Sequence, residues 1–177
     1  MDRQLTPIQM QNLSIMQHKA DTYRGMIIGF STSLENKINQ FISEYFVSDG
    51  QKRNDFVAVF FSTTGLNFRH KRKILNHIIK TDNRFNLFLA SNPNFITNLD
   101  NIVSNRNDMA HSTLHSTKDN IDKFNGDNFQ LHCYKPDNQK IFKEKTIDVD
   151  FRKLQTETDS ILAINIKIND LIKCANP

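Results

Sequence analysis

Apolar side chains recur every three or four residues through the first quarter of the chain, the spacing that lines one face of an α-helix. The series continues for about eight turns before a polar break at Ser48-Asp49-Gly50. Its members are Met16, Ala20, Tyr23, Ile27, Phe30, Leu34, Ile38, Phe41 and Tyr45. The pattern predicts one long amphipathic helix that ends at this break.

Three shorter apolar segments follow the long helix. Residues 56–61 fit either a short buried helix or a strand, and their helical neighbours favour the helix. After a break at Thr63-Thr64-Gly65, the pattern predicts a helix from about Asn67 to Lys80. Residues 85–89 form a short apolar stretch, and Ser91-Asn92-Pro93 then opens another helix.

The last third of the chain changes character twice. Ser112 to Asn128 is rich in Ser, Thr, Asp, Asn and Lys, which predicts a loop. Apolar and polar residues then alternate from Phe129 to Tyr134, which predicts a strand. Pro136-Asp137-Asn138 supplies a turn, and Lys140 to Ile147 is predicted to be the returning strand of a β-hairpin. Helical spacing resumes at the end of the chain and predicts a terminal helix, marked by Phe151, Leu154, Thr158, Ile161, Asn165, Ile168 and Ile172.

These elements predict an all-α fold. The chain has 177 residues, of which 38% are hydrophobic and 24% charged, values typical of one folded domain with a sizeable core. We therefore expect a single domain over residues 1–177. It is a helical bundle with a small β-hairpin between its last two long helices.

Several functional classes are excluded by what the chain lacks. It has no apolar run long enough to cross a bilayer, and Met1-Asp2-Arg3-Gln4 does not have the layout of a signal peptide. Cys133 and Cys174 match no metal-ligand spacing and are interpreted as reduced thiols. The sequence also lacks a phosphate-binding glycine loop, a zinc-protease motif and a glycine-flanked nucleophilic serine. We expect a cytoplasmic protein with no membrane partner, no metal site and no cofactor.

The basic residues are concentrated in one segment. The formal net charge is only +4, but Arg69, Lys71, Arg72 and Lys73 fall within five consecutive positions. Because the pattern continues into Ile74, Leu75, Ile78 and Ile79, the segment is predicted to be an amphipathic helix with its cations outward. Such a surface can bind a phosphate backbone through nonspecific, salt-sensitive contacts, so RNA binding is predicted here. A solvated helix face without a ligand is the alternative.

The chemically most informative residues lie at the end of a later apolar stripe. Phe95, Leu99 and Ile102 recur at spacings of four and three, and the next position of the stripe is Arg106. An arginine at a core position has to be paired, or has to face a cavity or a partner surface. Asn107 follows directly and His111 comes four residues later, near the end of the predicted helix. Imidazole titrates at about pH 6.5, which suits proton transfer near neutrality.

This arrangement of Arg106, Asn107 and His111 resembles the Arg-x4-6-His motif of HEPN domains, the all-helical "higher eukaryote and prokaryote nucleotide-binding" superfamily. In that family a polar residue commonly follows the arginine, as Asn107 does here. The layout of a long first helix, a motif near the end of a later helix and a terminal helix is also similar. Some HEPN toxins carry a tyrosine two residues after the histidine, the target of a partner nucleotidyltransferase. This chain has Thr113 there, so that mode of neutralisation is not implied.

The resemblance implies a metal-independent endoribonuclease, of the toxin or phage-defence kind, with an antitoxin protein as a possible partner. His111 would act as acid or base, and Arg106 would neutralise the phosphate with its planar fork of donors. Asn107 would donate to the phosphate or orient the imidazole. One histidine does not easily perform both proton transfers, so a homodimer that joins two motifs is expected. HEPN ribonucleases are similar in forming composite sites across a dimer.

Other polar residues are weaker candidates. His115 lies in the predicted loop, and Asp108 is expected to be a solvated carboxylate that points away from the motif. Asp148 and Asp150 are expected to cap the terminal helix.

Two alternatives to the nuclease stay open. One is a non-catalytic HEPN module that binds RNA or a nucleotide through the same residues. The other is a helical interaction protein in which Arg106 pairs with a buried carboxylate.

Overall fold

The computed structural model describes residues 4–61, 66–136 and 142–175 and is mostly helical. The helices of this described part are α1 (Pro7–Phe46), α2 (Gly50–Phe56), α3 (Phe68–Thr81), α4 (Asn86–Ser91), α5 (Phe95–Ala110), α6 (Lys118–Lys123) and α7 (Leu154–Ala175). A π-helical turn (Val57–Phe61) follows α2, and 3₁₀ turns precede α4 (Asn83–Phe85) and α7 (Phe151–Lys153). The strands are β1 (Ser112–Leu114), β2 (Asn128–Pro136) and β3 (Phe142–Asp150).

Side-chain caps define the beginnings of the first two helices. At α1, the Thr6 hydroxyl accepts a hydrogen bond from the backbone amide of Gln9 at 3.2 Å. The side-chain oxygen of Gln9 accepts one from the backbone amide of Thr6 at 2.9 Å. The long helix then runs to Phe46 and stops before the predicted break, which confirms that part of the sequence analysis. The Asp49 carboxylate within this break caps α2, where it accepts from the backbone of Gln51 and Lys52.

The helices predicted in the middle of the chain are confirmed. Residues 56–61 are helical, as the end of α2 and the π-helical turn. α3 begins after Asn67, whose side-chain oxygen accepts from the His70 amide at 3.1 Å. The predicted break at Thr63-Thr64-Gly65 lies outside the described residues.

The predicted hairpin is confirmed, but it belongs to a three-stranded antiparallel sheet in the order β1-β2-β3. The loop predicted from Ser112 to Asn128 is therefore wrong, because this segment contains β1 and α6. β1 pairs with β2, with Ser112 opposite Cys133, and Thr117 caps α6 through its hydroxyl. Residues 137 and 138 of the predicted turn lie outside the described residues.

The chain divides into two compact units. The first comprises Met1–Ile28 and Asn105–Thr158, and the second Gly29–Ser104 and Asp159–Pro177. The boundaries fall within α1, α5 and α7. The single domain expected from the sequence stays a prediction.

Each unit has its own buried apolar residues. In the first unit one face of the sheet is apolar, and Tyr23 of α1 meets Phe129 of β2 edge to face, with ring centroids 6.5 Å apart. The other buried apolar residues of this unit are Met16, Ala20, Ile27, Met109, Ile121, Leu131, Cys133, Val149 and Leu154. The second unit contains aromatic pairs, including Phe41 with Phe85 and Phe88 with Phe95.

No helix in the described ranges combines the length and the apolar character required of a membrane span.

Candidate functional site

The apolar stripe of α5 leads to Arg106, as the sequence predicts. Phe95, Leu99 and Ile102 are buried, whereas Arg106 is half-buried. The helix ends at Ala110, so the last turn of α5 carries the motif. The residues Asn105 to Ala110 belong to the first unit, which continues to Thr158.

The guanidinium of Arg106 is not compensated by a carboxylate in the described part of the chain. Its Nη1 donates to the side-chain oxygen of the neighbouring Asn107 at 3.3 Å. Its Nε is covered by protein and has no hydrogen-bond partner. A covered donor without a partner costs about 1–3 kcal/mol, and more when the group is charged. The arrangement therefore favours an anion that would neutralise this charge.

Asn107 turns its side-chain oxygen towards Arg106, because a guanidinium can only donate hydrogen bonds. The amide nitrogen of Asn107 makes no hydrogen bond to any described residue and remains able to donate. Arg106 and Asn107 together thus present several N–H groups, which is a combination suited to phosphate oxygens.

His111 is exposed and lies one residue beyond the end of α5. Its backbone amide donates to the carbonyl of Asp108 at 3.3 Å. Within the described residues, no hydrogen bond joins its ring to Arg106 or Asn107. The structure thus brings Arg106 and Asn107 into contact and places His111 at the same helix end, without a direct link among all three.

Arg24 of α1 is a residue of this region that the sequence analysis missed. Its Nε donates to the Met109 carbonyl at 3.2 Å, and the Ser112 hydroxyl donates to the same oxygen at 3.1 Å. Its Nη1 lies 3.6 Å from the Asp21 carboxylate. Eighty-five positions separate Arg24 from Met109, so no local sequence signal identifies this contact.

Asp108 corrects another expectation. It is 5% exposed rather than solvated. Its Oδ2 accepts from Lys145 Nζ of β3 at 2.6 Å. A buried carboxylate requires such a cation, and the sequence does not reveal which lysine provides it.

Asn105, the residue before Arg106, belongs to a different polar cluster. Glu157 of α7 accepts from the Tyr23 hydroxyl at 2.5 Å and from the Asn105 side-chain amide at 3.4 Å. Burial raises the pKa of Tyr23 above its ordinary range, and the hydrogen bond to Glu157 raises it further. This cluster stabilises the start of the motif segment and leaves Arg106 outside it.

The basic segment of α3 is only partly available to a ligand. Arg69 and Lys73 are exposed, as predicted. Lys71 is 6% exposed, and its Nζ lies 2.6 Å from the Glu35 carboxylate. The prediction that all four cations face outward is therefore wrong for Lys71, because a helix of this length turns one of them inward.

Arg72 is also engaged within its own unit. Its guanidinium forms an ion pair with the Asp100 carboxylate of α5. Of the four predicted RNA-binding residues, Arg69 and Lys73 consequently present the exposed positive charge.

The two expected capping acids of the terminal helix have different positions. Asp150 accepts from the Arg152 amide and caps the 3₁₀ turn that precedes α7. The guanidinium of Arg152 also lowers the pKa of Asp150 through its hydrogen bond. Asp148 instead lies within β3, where it accepts from the Gln130 side chain at 2.8 Å.

Among the residues that the structure describes, no group of three or more His, Cys, Asp and Glu side chains is arranged to hold a metal ion. No family model matches the chain, and no curated protein or solved structure matches it at a significant level. The resemblance to HEPN domains thus rests on the motif residues and on the order of the helices.

Proposed function

We propose that this chain is a metal-independent endoribonuclease whose reacting groups lie at the C-terminal end of α5. The observation that carries the proposal is the guanidinium of Arg106, which is half-buried and has no carboxylate partner among the described residues. The exposed imidazole of His111 follows about one and a half turns later. An anion-binding group and a proton-transfer group thus share one helix end.

RNA supplies its own nucleophile, so the protein needs only proton transfer and charge stabilisation. The 2′-oxygen would attack phosphorus while an imidazole removes its proton. The bond between phosphorus and the 5′-oxygen would break, and the leaving oxygen would receive a proton from a second acid. The products would be a 2′,3′-cyclic phosphate and a 5′-hydroxyl. Arg106 and Asn107 would stabilise the negative charge of the phosphorane.

The need for both an acid and a base supports a homodimer. Each motif has one histidine, and two motif helices that meet across a two-fold axis would place both His111 rings in one cleft. The resemblance to HEPN ribonucleases supports the same arrangement. It also supports a role as a toxin or phage-defence nuclease with an antitoxin partner.

The test is cleavage of a mixed RNA by purified protein in EDTA, followed by analysis of the fragment ends. His111→Ala is expected to lower the rate by about 10²–10⁴-fold, the usual contribution of a positioned acid or base. His77→Ala, at an exposed position of α3, is the matched control and should retain full activity. DNA of the same sequence should resist because it lacks the 2′-hydroxyl.

Two outcomes would contradict the proposal. Equal cleavage by the wild type and His111→Ala would assign the chemistry to another residue or to a contaminant. RNA binding without any cleavage would favour the non-catalytic binding module.

The dimer has a separate test. Sedimentation should give about twice the chain mass of 20.6 kDa. A composite site that needs both His111 rings also predicts that an excess of His111→Ala suppresses the activity of the wild type, since each mixed dimer contains only one imidazole. A strict monomer that cleaves RNA would overturn the composite site but leave the nuclease proposal standing.

A further inference from the structure

The outward face of the sheet in the first unit carries two histidines, His115 and His132. His132 lies opposite Thr113 on β1 and opposite Thr146 on β3. His115 follows β1, and its backbone amide donates to the Gln130 carbonyl at 2.9 Å, which continues the pairing with β2. The two rings overlap, with centroids 3.4 Å apart and planes tilted by 34°.

The two rings have different partners. The Nδ1 of His132 contacts the Glu144 carboxylate of β3. Its Nε2 is covered and has no hydrogen-bond partner. A positive charge on His132 is thus balanced by an adjacent carboxylate. His115 has no carboxylate within hydrogen-bond distance among the described residues.

The role of the His115 Nδ1 atom follows from its hydrogen-bond partner. The Nδ2 of Asn120 on α6 lies 2.8 Å from His115 Nδ1. The same Nδ2 donates to the His115 backbone carbonyl at 3.1 Å, which identifies it as the amide nitrogen. Since an amide nitrogen can only donate, the Nδ1 of His115 must be an unprotonated acceptor. The Asn120 side chain therefore ties α6 to the residue that ends β1.

A second partner for His115 is already close. The side-chain oxygen of Gln130 is 3.4 Å from the same Nδ1. The orientation of this amide is fixed, because its nitrogen donates to Asp148 at 2.8 Å. If Nδ1 gains a proton, two N–H donors oppose each other and the hydrogen bond with Asn120 is lost. The side-chain oxygen of Gln130 can then accept the hydrogen bond from Nδ1.

We propose that the contact between His115 and Asn120 is a proton-operated latch that holds α6 against the sheet. When His115 is protonated, its Nδ1 exchanges the hydrogen bond with Asn120 for one with Gln130, and α6 loses this hydrogen bond to the ring. Ile121 remains buried and Asp122 remains bonded to Gln9 at 2.7 Å, so the helix loosens without leaving the unit.

The charged surroundings support a response from His115 itself. The neighbouring ring is that of His132, and two imidazoles at this separation would repel each other if both carried a proton. On β3, Glu144 contacts His132. The charged residues that line a cavity together with Asn120 and Gln130 are Lys123, Asp148, Asp150, Lys153 and Glu157. On α1, His18 and Asp21 line a separate cavity with Ser116, the residue after His115. Asp119 and Lys123 pair with each other at 2.7 Å, and Asp148 is held by Gln130.

The latch also borders a cavity. Asn120 and Gln130, the two alternative partners of His115, both line an open cavity of about 510 Å³ in this unit. The exchange of partners would therefore release the Asn120 side chain at the edge of the cavity, so that a change of pH would alter what this surface can bind.

Hydrogen exchange tests the latch directly. Protection factors of the α6 amides are compared at about pH 8 and about pH 5, on either side of the ordinary imidazole range. Loss of one hydrogen bond should lower protection in the wild type by about threefold to tenfold at the lower pH. The β2 amides serve as the internal control and should keep their protection.

Two variants make the test decisive. His115→Gln cannot titrate, so its α6 protection should not depend on pH. Asn120→Asp replaces the donor by an acceptor, and protection at the lower pH should then equal or exceed that at the higher pH. The proposal is overturned if wild-type protection does not change with pH, or if His115→Gln retains the wild-type response.

Discussion

The two candidate phosphate-binding regions of this chain differ in how their charges are compensated. The α3 segment from Arg69 to Lys73 has four cations, yet Lys71 and Arg72 form ion pairs with Glu35 and Asp100. The α5 motif has one cation, and among the described residues the side-chain hydrogen bond of its guanidinium goes to the neutral Asn107. Half of the cations in the α3 segment are therefore neutralised within the protein, whereas the single cation of the α5 motif has no carboxylate partner among the described residues.

The difference shows that a run of basic residues does not measure the charge available to a ligand. Glu35 precedes Lys71 by 36 positions, and neither residue signals the other in the sequence. By contrast, Arg106 is identified by its place in an apolar stripe, a pattern that depends only on near neighbours. The half-buried position of Arg106 was accordingly more predictable from the sequence than the exposed charge of the α3 segment.

The largest effect on stability is expected from removal of the buried cation of α3. Lys71→Met should lower the free energy of unfolding by about 3–5 kcal/mol, because it leaves the largely buried Glu35 carboxylate without a partner. Urea denaturation measures the change. Arg69→Met is the matched control, and it should stay within about 0.5 kcal/mol because its side chain is exposed.

A double variant separates the ion pair from packing. Lys71→Met combined with Glu35→Leu should recover most of the lost stability, since it removes both charges together. Equal losses in Lys71→Met and Arg69→Met would mean that Lys71 is not engaged as described.

The same substitution at Arg106 should reduce RNA cleavage and leave the stability of the fold intact. Arg106→Met removes a covered donor that has no partner, so the free energy of unfolding should be unchanged or higher by about 1 kcal/mol. The proposed RNA cleavage should fall by about 10²–10³-fold, as when a charge-stabilising donor is lost. A stability loss as large as that of Lys71→Met would show that the guanidinium has a structural partner.

The parts of the fold that the sequence predicted are those with long periodic patterns. α1 and α7 present many turns of regular apolar spacing, and the β2–β3 hairpin alternates over several residues. β1 was missed because three residues are too few to show an alternation. α6 was missed because its six residues contain one buried apolar side chain, Ile121.

In the candidate site, too, the residues that the sequence identified are close neighbours along the chain. Arg106, Asn107 and His111 are neighbours along the chain, so their grouping needed only helix geometry. Arg24 and His132 are positioned by tertiary contacts, through Met109 in one case and through strand pairing in the other. Neither position differs in sequence from an ordinary polar residue on a helix or strand, so one sequence alone did not identify them.

The salt dependence of RNA binding tests whether the two exposed cations of α3 contact phosphates. Arg69→Gln and Lys73→Gln should each reduce the salt dependence of affinity by about 0.7 logarithmic units for every phosphate of single-stranded RNA that the variant no longer neutralises. Affinity for unrelated sequences should fall together, and titrations at several salt concentrations measure both effects. Lys173→Gln, which is exposed on α7, is the control. An unchanged slope in both α3 variants would identify the segment as a solvated face.

The smallest effect concerns a cation whose partner is local. Asp82 accepts from the guanidinium of Arg84 at 2.8 Å and from the Tyr45 hydroxyl at 3.1 Å. The hydrogen bonds from Arg84 lower the pKa of Asp82 to about 2. Because the folded pKa lies below that of the unfolded chain, the charge of Asp82 stabilises the fold above about pH 4. This contribution is lost as the pH falls through about 2.

Asp82→Asn isolates this contribution, because asparagine can still cap the 3₁₀ turn. The wild type should be the more stable protein at neutral pH, and the difference should shrink steadily between about pH 4 and about pH 2. Thermal unfolding of both proteins over that range measures it. A difference that stays constant with pH would assign the role of Asp82 to its shape and its cap. The carboxylate of Asp82 would then contribute no electrostatic stabilisation to Arg84, although the two groups lie side by side.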